Sequence, residues 1–113
     1  MKYIPFRDYS TTEEPNGLKT EEIIRIIANQ VPNGAVAQEI MDRVTVLKAL
    51  KRDTEARAPG MQLEDADYAR FKKWTEEFKF VIATIPLGQI LDDIRNAQEP
   101  PAVIKAVTSE KAA

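Results

Sequence analysis

Residues 63–97, LEDADYARFKKWTEEFKFVIATIPLGQILDDIRNA, constrain most tightly what this chain can fold into. They hold the only tryptophan and three of the four phenylalanines. Phe71, Trp74, Phe78, Ile82 and Ile85 recur at spacings of 3, 4, 4 and 3, which draws one apolar stripe down a helix of 3.6 residues per turn. Leu87, Ile90, Leu91 and Ile94 draw a second stripe beyond Pro86. Two amphipathic helices meeting at a proline make a natural core. The stripe predicts a third helix starting at Gln62 or Leu63 and running through Ile85, with a short strand over 79–84 as the alternative. A fourth helix is expected over 86–97, with proline in its first turn. Trp74 is expected to be buried between these two helices.

Upstream, helix 1 should start at Thr20, whose hydroxyl can cap free N–H groups, with Glu21 and Glu22 at the positive end of the dipole. Ile23, Ile24, Ile26, Ile27 and Val31 give it an apolar face, and Pro32-Asn33-Gly34 ends it. Helix 2 is expected over 35–52. Val36, Ile40, Val44, Leu47 and Leu50 form its face, and Val46 is peripheral. Residues 53–62 read as the linker between two helical hairpins, broken at Ala58-Pro59-Gly60. Residues 1–19 lack helical periodicity and read as an extended arm, with Glu14-Pro15-Asn16-Gly17 as turn chemistry. Its apolar groups, Tyr3, Ile4, Phe6 and Tyr9, are the candidate interaction residues, either folded back on their own domain or docked on a neighbouring subunit. Glu99-Pro100-Pro101 stops the last helix, and 99–113 read as a frayed tail.

Composition narrows the chemistry. The chain has 113 residues, enough for one domain with a modest core, and a formal net charge of −2. Cysteine and histidine are both absent, which removes thiol chemistry, Cys-ligated zinc, the commonest metal ligand and the commonest general base. Asp92 and Asp93 are adjacent and diverge by about 100° on a helix, so they do not pair on one face. Gly17 and Gly34 follow asparagines in turns and form no phosphate loop. No catalytic residue, cofactor site or metal site is expected. No apolar run reaches the ~18 residues of a membrane span, and Arg7 and Asp8 interrupt the region where a signal peptide is apolar. A cytoplasmic setting is expected, with no membrane partner.

Two basic clusters raise the question of nucleic acid: Lys48, Lys51 and Arg52 on helix 2, and Arg70, Lys72 and Lys73 on helix 3. Helices 1 and 2 could form a helix-turn-helix unit and so a small DNA-binding regulator. The second helix of that unit begins AVAQEIMD, with acids and aliphatics where phosphate and base contacts would be wanted. Nucleic acid is therefore the disfavoured partner.

The stretch Leu63-Glu64-Asp65-Ala66-Asp67-Tyr68, then Phe71-Lys72, then Leu91-Asp92-Asp93-Ile94-Arg95-Asn96-Ala97 resembles small tail-morphogenesis proteins of long-tailed bacteriophages. It covers roughly the C-terminal third. The resemblance implies an all-helical accessory or tail-assembly-chaperone-like protein that binds phage structural proteins and carries no catalytic residues. It places such a protein in the host cytoplasm or the virion.

Together these readings give an all-α domain of four helices in two antiparallel hairpins over 20–98, with an N-terminal arm and a C-terminal tail. The expected function is non-enzymatic protein–protein interaction or assembly, with a homo-oligomer as one form it could take.

Overall fold

Local chemistry sets where the helices start and stop. The computed structural model describes residues 1–9, 18–31 and 33–100. The turn expected at 14–17, the breaker Pro32 and the tail beyond 100 lie outside the described residues. The order is β1 (Lys2–Pro5), α1 (Thr20–Asn29), α2 (Ala37–Glu55), β2 (Gly60–Leu63), α3 (Asp65–Glu77) and α4 (Ile85–Arg95). The four helices are those expected. The two strands correct the all-α reading: a mostly helical domain carries a two-stranded antiparallel sheet, with Tyr3 opposite Gln62 and Ile4 opposite Met61.

The sheet recruits the arm and the linker. Ile4, Met61 and Leu63 are buried in the same core as Phe71, Ile90 and Ile94. Pro5, which has no N–H to give a ladder, sits at the end of β1 opposite Gly60. Both outer edges of this ribbon are closed. The N–H of Tyr3 donates to the carbonyl of Gln98 at 2.8 Å. On the other side, the N–H of Gln62 donates to Asp53 Oδ2 at 2.9 Å, and its carbonyl accepts from Arg52 Nη2 at 2.8 Å. Arg52 also grips Asp53 through Nε and Nη2 at 2.9 and 2.7 Å. An acid and a base at the end of α2 thus do the work of a third strand, and they blunt an edge open to pairing.

That clamp fixes the rotation of α2. Its buried residues are Val46, Ala49, Leu50 and Asp53, while Val36, Ile40, Met41 and Val44 are exposed. The expected face is therefore corrected: Val46 is core, and of the expected stripe only Leu50 is buried, with Leu47 packed partly against the core. Asp53 has to face β2 while Arg43 reaches α1, and the helix turns to satisfy both.

Helix 3 is shorter than its stripe. Phe78, Phe80, Val81 and Ile82, interrupted only by Lys79, are aromatic and β-branched residues with low helix propensity. The chain leaves the helix at Phe78 with φ −69° and ψ 133°. Thr84 then starts α4 afresh. Its side chain accepts from the N–H of Leu87 at 3.2 Å, and Pro86 stands in the first turn where its missing donor costs nothing. The expected continuous helix through Ile85 is corrected for that reason. Thr20 is also reassigned. It is the first residue of α1, not its cap, and its hydroxyl accepts from the N–H of Arg7 at 3.1 Å.

Helices 3 and 4 are joined by Tyr68, whose hydroxyl donates to the carbonyls of Ile94 at 2.6 Å and Arg95 at 3.1 Å. A paired contact from Arg95 to Glu76, 2.9 Å at each oxygen, adds a second tie.

Candidate interaction site

The four arm residues singled out from sequence face their own domain. Ile4 is fully buried. The ring of Tyr3 lies so close over Gly60 that a Cβ there would stand 2.4 Å from it. Phe6 packs against the core, and its N–H donates to the carbonyl of Pro59 at 2.8 Å. Tyr9 also packs there, and its hydroxyl donates to Asp93 of α4, which accepts from Arg7 Nη1 at 3.1 Å. Burial, and then the bond to Asp93, push the Tyr9 phenol above its ordinary value. The arm is thus stitched to α1, α4 and β2.

The exposed apolar groups lie elsewhere. Between α3 and α4 the chain presents Val81 at 97% exposure and Ile82 at 60%, and Ile85, the first residue of α4, is 79% exposed. The base of this loop is anchored: the rings of Phe78 and Phe80 meet at 4.6 Å and pack partly on the core. From Lys79 to Ala83 no backbone hydrogen bond holds the chain to another described residue. The loop is therefore a fixed base with an apolar tip.

Beside it opens a groove of about 620 Å³, lined by Gln30, Val31, Asn33 and Gly34 of the α1–α2 turn and by Trp74, Glu77, Phe78 and Lys79. Gly34, at φ +76°, turns the chain at one wall, with its N–H bonded to the carbonyl of Val31 at 2.9 Å. Trp74 is only 7% exposed and contributes to the lining. Its burial is as expected, but its ring is covered from α2 by Arg43 and met edge-on by Phe71. Val36, 75% exposed, stands just past the turn.

Spacing alone does not reveal this site, because it predicts core along the whole stripe Phe71–Trp74–Phe78–Ile82–Ile85. The signal that separates its two halves is propensity: FKFVIAT is strand-like in composition, and it breaks the helix. A second exposed apolar strip, Ile40, Met41 and Val44, runs along the outside of α2.

Among the described residues no group of three or more acids could hold a metal ion, and no helix is long and apolar enough to cross a membrane. Comparison with protein-family models, curated proteins and solved structures finds no match to this chain.

Proposed function

We propose that this chain is a non-enzymatic interaction or assembly protein that holds a protein partner at the end formed by the α3–α4 loop and the α1–α2 turn. The observation that carries the reading is the exposure of Val81, Ile82 and Ile85 beside the Trp74 groove. An apolar centre ringed by polar groups is the anatomy of a protein-binding surface: the tip and the tryptophan supply burial, while Gln30, Asn33, Glu77 and Lys79 supply direction. The helix-turn-helix alternative has less support, since Val36, Ile40 and Met41 occupy the open face of α2 where base and phosphate contacts would be needed.

The resemblance to phage tail-morphogenesis proteins supplies the partner class to try first, phage structural proteins, with the host cytoplasm or the virion as the setting. Purified products of the neighbouring genes should be titrated calorimetrically against the chain and against a Val81→Asp/Ile85→Asp variant. One product should bind the native chain, and the variant should bind it roughly tenfold or more weakly with unchanged circular dichroism. Equal binding by the variant overturns the reading. So does sequence-selective duplex DNA binding tighter than the ~10⁻⁴–10⁻⁶ M of non-specific association.

A further inference from the structure

We infer that this end pairs with the same end of a second copy, the loop tip of each chain seated in the Trp74 groove of the other. The inference rests on the reading of this end as a docking surface and names what covers it.

The knob and the hole are neighbours. Lys79 lines the groove, and Val81, the tip, follows two residues later. A protrusion and a groove side by side are self-complementary under a two-fold axis, because one rotation seats both tips at once. The groove, at about 620 Å³, accommodates a valine and an isoleucine side chain. Val31, Trp74 and Phe78 supply apolar lining, which suits the tip.

Charge agrees with this arrangement. Glu77 and Lys79 both stand on the groove rim, carry opposite signs and form no ion pair among the described residues, whereas nearby Glu76 is held by Arg95. A two-fold axis between the grooves can set the Glu77 of each copy against the Lys79 of the other. Two rim charges with no ion pair among the described residues of one chain are thereby paired in two.

The area sets the strength. Burying Val36, Val81, Ile82 and Ile85 removes roughly 60–120 Å² apiece from water. With a smaller contribution from the groove lining, each copy falls short of the ~800 Å² per partner of a standard interface and has the size of a weak, transient one. The pair is a reversible dimer, and it leaves the tip accessible to another partner when it dissociates.

Sedimentation equilibrium of the full chain tests this. The mass should double as concentration rises. Val81→Asp/Ile82→Asp should be monomeric with unchanged circular dichroism. Glu77→Lys should weaken association roughly tenfold, by setting like charges opposite each other, and adding Lys79→Glu should restore it. A native chain that stays monomeric to millimolar concentration overturns the inference. A dimer indifferent to the tip variant overturns it too and points to the α2 strip. A monomer that instead sediments with phosphatidylserine vesicles through Val81 overturns it in favour of a lipid surface. Binding of a neighbouring gene product by a strictly monomeric chain would sink self-pairing alone and leave the proposed function standing.

Discussion

The guanidinium of Arg43 lies over the ring of Trp74, 4.4 Å from its centroid. Through Nη1 the same side chain donates to the carbonyls of Ile27 at 2.9 Å and Ala28 at 3.3 Å. Helix 1 has no basic residue in its last turn, so the cation its dipole favours arrives from α2. Glu39 stands 3.6 Å from Arg43 Nε and balances the charge. One arginine therefore ties α1, α2 and α3 together behind the groove.

Removing either partner should be costly. Trp74→Ala is expected to destabilise the domain by about 3–5 kcal/mol, as large-to-small core changes do. Arg43→Met keeps the stem but loses the cation, at a cost on the order of 2–3 kcal/mol. Because the two groups touch, urea denaturation of the double variant should show less than the sum. Additive losses would mean that the stacking contributes nothing.

The arm should behave as part of the core. Ile4 is fully buried, so Ile4→Ala is expected to cost about 2–5 kcal/mol, and deleting residues 1–9 should lower the melting temperature sharply. A truncated chain that melts like the full one would detach the arm from the fold and return it to partner docking.

Gly60 is required where it is. A Cβ there would sit 2.4 Å from the Tyr3 ring and 2.5 Å from the carbonyl oxygen of Ile4. Gly60→Ala should destabilise by about 3 kcal/mol, the upper part of the overpacking range. Adding Tyr3→Ala should recover only part of this, since the backbone oxygen cannot leave. Full recovery in thermal melts would assign the whole conflict to the ring.

Alkaline pH should loosen the contact between α3 and α4. Burial pushes the Tyr68 phenol above the ordinary 10.0, so its proton is held more tightly in the folded chain than in the unfolded one. The stability this supplies is fully present below the unfolded value and is lost as pH rises through the folded one. Tyr3 and Tyr9, also raised by burial, act in the same direction. Denaturation midpoints followed upward from pH 9 should fall, and Tyr68→Phe, less stable at neutral pH by about 0.5–1.5 kcal/mol, should show a shallower fall. An unchanged slope in that variant would assign the effect to the other tyrosines.

The sequence by itself determined four helices, because their signals are local. Charges at first turns, Pro86 in the first turn of the last helix, and apolar spacing each act within one or two turns of the residues that carry them. It also determined that Phe71 and Trp74 are core. Tertiary structure decided the strands, since β1 and β2 are four-residue pieces from opposite halves of the chain with no hairpin turn to announce them. It decided the rotation of α2 as well. Its apolar pattern favours Val36, Ile40 and Val44, but the helix buries the side from which Asp53 reaches Gln62 and Arg43 reaches the end of α1. The exposed tip follows from both levels. The stripe that buries Phe71 and Trp74 continues in sequence to Ile82 and Ile85, yet the helix ends at Glu77, and beyond that point spacing no longer fixes which way a side chain faces.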